Sequence, residues 1–252
     1  MGLAHRRAQL RLDSLTMSSF SYSHTPIKVC GLTREEDVDA CAREGVNAIG
    51  FVFYEKSPRR VTPDRAHALA NRLPAFITPV LLFVNAPSEM IRLCAEAVPS
   101  AWLQFHGEET PEFCAQMAKE TGRRYIRALR VPLDSEEDGH KNTPKMASEI
   151  VEYTHQYSTA HAILLDAFVP GYGGGGKTFN WSLIPQNVNA HLVLSGGLTP
   201  ANVGDAVRTL KNCARSFSVD VSSGVEVDKG IKDAKRIHEF VQAVRRADQT
   251  PT

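Results

Sequence analysis

No apolar run in the chain approaches the roughly 18 residues needed to cross a membrane, which excludes a membrane-spanning helix. No CxxC pair occurs, and the five cysteines (Cys30, Cys41, Cys94, Cys114, Cys213) are an odd number. That argues against a disulfide framework or a zinc ribbon and for a reduced, intracellular protein. Neither sign of charge is in excess: 29 Lys and Arg stand against 28 Asp and Glu, a net charge of +1. A general nucleic-acid-binding surface is therefore not expected. No His, Asp and Glu cluster has metal-ligand spacing. No Pro-, Ser- or Gly-rich linker divides the chain. What is present is 252 residues, 42% hydrophobic and 23% charged, enough for one large core.

Residues 1–26 differ from the rest. Arg6, Arg7 and Arg11 face a single acid, Asp13, and several serines follow. The apolar core of a secretory signal is missing. The composition resembles a weak organelle transit peptide, but the expectation is a disordered tail, or residues upstream of a working start at Met17.

From Ile27 onward, strand-like runs alternate with helix-like segments. Ile27–Gly31 leads to a helix over 33–44, where Thr33 and Glu36 fit a capping box. Asn47–Phe53 leads to a helix over 63–73, opened by Thr62 before a proline at the first helical position. Further strands are expected at 78–84, 101–105, 124–131, 161–166, 191–194 and 217–221. Helices follow at 88–97, 111–120, 145–157, near Trp181, at 200–210 and at 231–245. Runs such as Ile49-Gly50-Phe51-Val52-Phe53 and Val80-Leu81-Leu82-Phe83-Val84 are apolar throughout, not alternating. Strands of that kind are buried on both faces, as in a parallel sheet covered by helices. Eight units in one chain predict an α/β fold, a single (β/α)8 TIM barrel over residues 27–246, with 247–252 as a tail. An open doubly wound sheet would share the pattern.

In a barrel the C-terminal strand ends form one rim, where such enzymes place their chemistry. That rim would carry Cys30-Gly31, Tyr54 to Arg60, Gln104, His106-Gly107, Asp166, Ser195-Gly196-Gly197, and Asp220 to Gly224. Cys30 is a candidate base and Asp166 a candidate acid. The turns at Ser195–Gly197 and Ser222–Gly224 end adjacent strands. Glycines there open backbone N–H groups to a phosphate. Arg59 could pair with a carboxylate or be a solvated loop residue. His106 reads as a catalytic group or a packing histidine. Gly171 to Thr178 satisfies G-x-x-x-x-G-K-[ST], but a nucleotide P-loop must follow its strand closely and open a long helix. Ala167 to Pro170 intervene before it, and Pro185 limits any helix after it. A flexible flap over the rim, with Lys177 near an anion, fits better.

These segments together resemble the phosphoribosylanthranilate isomerase family of tryptophan biosynthesis. The resemblance rests on Lys28-Val29-Cys30-Gly31-Leu32-Thr33, Gly50-Phe51-Val52-Phe53 with Ser57 and Arg59, and Gln104-Phe105-His106-Gly107-Glu108. It continues through Leu164-Leu165-Asp166, Gly173 to Phe179 with Trp181, Ser195-Gly196-Gly197-Leu198, and Asp220 to Glu226. It implies an Amadori rearrangement of N-(5-phosphoribosyl)anthranilate on a (β/α)8 barrel, with no metal or cofactor. Cys30 would be the general base and Asp166 the general acid. Gly197, Ser223 and Gly224 would bind phosphate, and Arg59 the anthranilate carboxylate. Gln104, His106, Gly174, Gly175, Lys177, Gly196, Asp220 and Ser222 complete the implied substrate-binding set. Gly175 stands where many relatives carry Ser or Thr. The implied partner is a small phosphorylated molecule, with no nucleic acid and no membrane. The chain is expected to be cytoplasmic and a monomer, with a homodimer left open.

Three rival readings remain at this stage: a histidine-pathway sugar-phosphate isomerase, which would need a carboxylate at Cys30, a nucleotide-hydrolysing switch built on Gly171–Thr178, and a non-catalytic phosphate binder. Ionisation sets a further demand. With ordinary values, about 3% of a thiol is thiolate and about 0.1% of an Asp is protonated at neutral pH. The reading therefore expects Asp166 to be raised by its apolar strand end and Cys30 to be lowered by a nearby helix N-terminus.

Overall fold

The structure, a computed structural model, describes residues 24–132, 143–167, 178–186 and 188–249. Eight parallel strands close into one barrel in sequence order, each hydrogen-bonded to the next and β8 to β1. They are β1 (Ile27–Cys30), β2 (Ala48–Val52), β3 (Thr78–Phe83), β4 (Trp102–Phe105), β5 (Tyr125–Val131), β6 (Ala162–Ala167), β7 (Val188–Leu194) and β8 (Ala214–Val221). Helices α1 (Glu35–Glu44), α2 (Pro63–Ala70), α3 (Ser88–Ala97), α4 (Pro111–Thr121), α5 (Thr143–Gln156), α6 (Val203–Leu210) and α7 (Ala234–Gln249) pack around it. Between β6 and β7 the described residues hold only a 3-10 turn at Trp181–Leu183. The expected TIM barrel is therefore the fold.

Alternation along each strand sorts the side chains. Ile163, Leu165 and Ala167 of β6 join the large core between barrel and helices. Ala162 and Leu164 instead meet Val80, Ile126, Ala128 and Val193 in a cluster inside the barrel. Successive residues of a strand point to opposite faces, so Asp166 continues the inner series. Cys30 does the same from β1, packed with Val52, Leu82 and Val84.

Several local signals act as the sequence predicts. Thr62 Oγ1 accepts from Arg65 N at 3.2 Å with Pro63 at the first position of α2. The capping box at Thr33 and Glu36 does not form. Arg34 is the residue before α1 and makes no side-chain cap. The Thr33 hydroxyl instead donates to Gly230 O at 2.9 Å, a tertiary partner winning over a local one. The helix expected from Ile231 also starts later. Ile231–Lys232 pairs antiparallel with Glu226–Asp228 as a hairpin, β9 and β10 (Glu226–Asp228 and Ile231–Lys232), turned at Gly230 with φ of 81°. At the far end α7 runs to Gln249. Asp248 takes hydrogen bonds from Thr25 N at 2.7 Å and Thr25 Oγ1 at 2.6 Å. The packed barrel thus extends slightly past both expected boundaries. Residues 1–23, 133–142, 168–177, 187 and 250–252, and with them most of the expected tail and flap, lie outside the described residues.

Candidate active site

Cys30 ends β1 inside the barrel, 6% exposed, within a set of buried charges. Lys28 Nζ donates to Asp220 Oδ1 at 2.9 Å. Lys232 Nζ donates to Glu226 Oε1 at 2.7 Å, and to Ser222 O at 3.0 Å. Arg59 sends Nε to Glu226 Oε1 and Nη2 to Oε2, both at 2.7 Å, a fork-on-fork pair. These five charged residues are all less than 9% exposed. Three cations thus meet two carboxylates, leaving one surplus positive charge while Cys30 is a neutral thiol.

The expected lowering of Cys30 is not what its surroundings produce. Burial pushes the thiol up. Lys28 and Lys232 pull it back and Asp220 works with burial, and the net direction is upward. The helix that follows, α1, begins only at Glu35. Burial also opposes the Lys28 ammonium, yet Asp220 and the Cys30 sulfur hold its pKa above the ordinary lysine value. For Lys232 burial wins and the value falls, despite Glu226.

Arg59 stands on the loop after β2, as expected, but of the two readings for it, paired or solvated, the solvated one fails: it is buried. Its side chain passes beneath the turn after β1. Gly31, at φ of 78°, would place a Cβ 2.5 Å from Arg59 Cδ, so only glycine leaves it room. The buried pair to Glu226 orients the guanidinium and raises its pKa further.

Asp166 lies three strands away around the ring, at the upper end of β6. His106 Nε2 is 3.1 Å from its Oδ2, and Gln104 Nε2 is 3.0 Å from His106 Nδ1. The loop bearing His106 is braced from outside the barrel. Arg127 Nη1 donates to Phe105 O at 2.9 Å and Nη2 to Gly107 O at 2.8 Å. Glu109 accepts from Gly107 N at 2.9 Å and Asn85 N at 2.7 Å, and pairs with Arg127 at 3.2 Å.

The two turns ending β7 and β8 touch one another. A Cβ on Gly224 would collide with Leu198 O, so glycine permits the close approach. Ser222 Oγ donates to Cys30 O at 3.0 Å and accepts from Lys232 at 3.2 Å. That hydroxyl therefore ties the second turn to the Cys30 strand. Asp220 serves Lys28 and accepts from Ser195 Oγ at 3.3 Å. Gly196 and Gly197 adopt φ of 82° and 66° in the first turn. The expected helix N-terminus is displaced, since α6 begins only at Val203 and a single 3-10 turn, Ser223–Val225, follows β8. Gly174, Gly175 and Lys177 lie outside the described residues.

The structure thus gathers Cys30, Arg59, Asp220 and Ser222 around one charged set and links Gln104, His106 and Asp166 in another. Sequence reasoning missed the site roles of Lys28, Glu226 and Lys232, and the brace formed by Glu109 and Arg127. Lys28 inside an apolar strand was the available signal, since an unpaired lysine is almost never buried there. Among the described residues, no group of three His, Cys, Asp or Glu side chains could hold a metal ion, and no helix is long and apolar enough to cross a membrane.

A closed parallel barrel with a thiol and a carboxyl on the inner rim places the chain among (β/α)8 barrels that carry polar side chains at the C-terminal strand ends. Residues 27–243 match the family model described as N-(5'phosphoribosyl)anthranilate (PRA) isomerase. The N-(5'-phosphoribosyl)anthranilate isomerase of Dechloromonas aromatica is 51% identical over 226 residues, 90% of this chain and 99% of that one. Among solved structures, phosphoribosyl anthranilate isomerase from Thermotoga maritima aligns with a TM-score of 0.69 at 36% identity, covering 88% of this chain and 99% of that one. Another phosphoribosyl anthranilate isomerase, in complex with reduced 1-(o-carboxyphenylamino)-1-deoxyribulose 5-phosphate, aligns with a TM-score of 0.66 at 32% identity, covering 88% and 99%. The chain belongs to the N-(5'-phosphoribosyl)anthranilate isomerase family.

Proposed function

We infer that the chain is an isomerase of tryptophan biosynthesis, converting N-(5'-phosphoribosyl)anthranilate to 1-(2-carboxyphenylamino)-1-deoxyribulose 5-phosphate. The observation that carries the reading is the family match over the whole barrel. The geometry supports a division of labour. Asp166, as general acid, delivers a proton to the ribose ring oxygen, and the C1′–O bond breaks to leave an iminium. Cys30, as thiolate, takes the proton from C2′, and the electron pair neutralises the iminium to an enolamine. Tautomerisation gives the ketone. Each positioned proton transfer contributes about 10²–10⁴ in rate.

The charged set around Cys30 favours an anion there. The one surplus positive charge of Lys28, Arg59 and Lys232 over Asp220 and Glu226 matches a single anion, the Cys30 thiolate or the carboxylate of an anthranilate beside Arg59. In the free enzyme burial keeps Cys30 largely a thiol, so turnover draws on the thiolate fraction. The backbone of the Gly196-Gly197 and Ser223-Gly224 turns is assigned the phosphate, with Gly174, Gly175 and Lys177 closing over the substrate. Gln104 and His106 act at the Asp166 end, and Asp220 and Ser222 as supports for Lys28 and Cys30. The compartment assigned is the cytoplasm, in keeping with five free thiols, and the assembly a monomer. Light scattering at one chain's mass is expected, and twice that mass would overturn the monomer.

The test of the activity is the loss of substrate fluorescence when the purified protein meets freshly made phosphoribosylanthranilate. Saturable turnover is expected. A folded protein that leaves the fluorescence unchanged would overturn the reading.

A further inference from the structure

We propose that Gln104 is a positioning residue for the reaction: its amide N–H fixes His106 as the Nε2–H tautomer, which occupies Asp166 Oδ2 and leaves Oδ1 to carry the transferred proton. The proposal rests on the reading of Asp166 as the general acid.

Gln104 is fully buried on β4. Its Nε2 lies 3.0 Å from His106 Nδ1. An amide nitrogen donates and does not accept, so Nδ1 must present its lone pair. The single ring proton of a neutral imidazole then resides on Nε2, 3.1 Å from Asp166 Oδ2. That bond engages one carboxyl oxygen in either protonation state of Asp166. A protonated Asp166 therefore keeps its hydrogen on Oδ1, the oxygen not held by His106.

In this orientation the amide also opposes a competing state. An imidazolium would direct Nδ1–H at the Gln104 N–H, donor against donor. A carboxylate in place of the amide would instead accept from Nδ1–H, so that both ring nitrogens carry hydrogen. Gln104 Oε1, the other end of the amide, is buried with no hydrogen-bond partner.

The charged and titratable groups that share the inner face with this chain are Arg130 on β5, in register with Asp166, Asp220 on β8, and Lys28 and Cys30 on β1.

The test uses the full chain with ring-15N histidine, read by NMR at neutral pH, beside kcat, KM and the pH profile for wild type, Gln104→Glu and Gln104→Met. Wild type should show His106 neutral with the proton on Nε2. Gln104→Glu should convert it to imidazolium, because the carboxylate accepts from Nδ1–H. Its kcat should fall about 10²–10⁴-fold, the contribution of a general acid, while KM changes little. Gln104→Met removes the donor without adding charge, and should lose the Nε2–H preference even where the Glu variant does not fold. A wild-type His106 that is imidazolium or Nδ1–H, or a Gln104→Glu protein with wild-type kcat, would overturn the proposal. Ordinary turnover by Asp166→Asn would instead remove the acid assignment, and the ring spectrum would still report whether Gln104 sets the tautomer.

Discussion

Replacing Glu226 with Gln probes the buried charges beside Cys30 with almost no change of shape. The carboxylate receives three hydrogen bonds at 2.7 Å, two from Arg59 and one from Lys232, and it is 7% exposed. The variant leaves Lys28, Arg59 and Lys232 against Asp220 alone. An amide cannot accept the Arg59 fork on both ends. Breaking a buried pair by removing one partner costs about 3–5 kcal/mol, a large share of the ~5–15 kcal/mol that holds a domain folded. Urea denaturation at neutral pH should show that loss as a lower midpoint with an unchanged slope.

The pH dependence tests the cause. Burial alone would raise the Glu226 carboxyl, but the hydrogen bonds and charges of Arg59 and Lys232 outweigh it and lower its pKa. Its stabilisation is therefore complete above the ordinary carboxylate value of about 4.3 and is lost as pH falls through the lower folded value. The gap between wild type and variant should stay constant from about pH 6 to 8 and narrow in acid. A stability within about 0.5 kcal/mol of wild type, the range of ordinary surface substitutions, would refute the account. So would a gap that does not narrow in acid.

Other outcomes follow from the same geometry. Because burial raises Cys30, its alkylation by iodoacetamide should be slow at neutral pH and accelerate above the ordinary thiol value of about 8.5; fast alkylation near pH 7 would show that the two lysines outweigh burial. Arg59→Lys keeps a charge but loses the fork to Glu226, so KM should rise about tenfold, roughly 1.4 kcal/mol, with kcat less affected. An unchanged KM would detach Arg59 from the carboxylate. Gly224→Ala forces a Cβ into Leu198 O; inhibition by inorganic phosphate should weaken about 10–100-fold, the worth of one hydrogen bond to a charged group, and unaltered inhibition would move the phosphate elsewhere.

The barrel was legible because its signals are local. Fully apolar strands such as Val80 to Val84 announce burial on both faces, and the residue that ends each run falls on the rim by construction. Cys30 and Asp166 were found that way. The support around them was not, because it is assembled across the chain. Lys28 meets Asp220 from 192 positions away and Arg59 meets Glu226 from 167. The hairpin that delivers Lys232 was hidden because Ile231-Lys232 leads directly into the apolar pattern of α7, and only Gly230 marked the break. Thr33 carried a sound local cap signal, and the same hairpin claimed its hydroxyl. The direction of the Cys30 shift was missed for a related reason: strand position says nothing about how many buried charges surround a thiol.

The most direct test of the account is turnover of phosphoribosylanthranilate by wild type, Cys30→Ser and Asp166→Asn side by side, with each variant first shown to be folded by circular dichroism. The account predicts rapid fluorescence loss with wild type and a fall of about 10²–10⁴-fold in kcat with either variant. Ordinary turnover by a folded Cys30→Ser or Asp166→Asn protein would contradict the pairing of base and acid on which the mechanism stands.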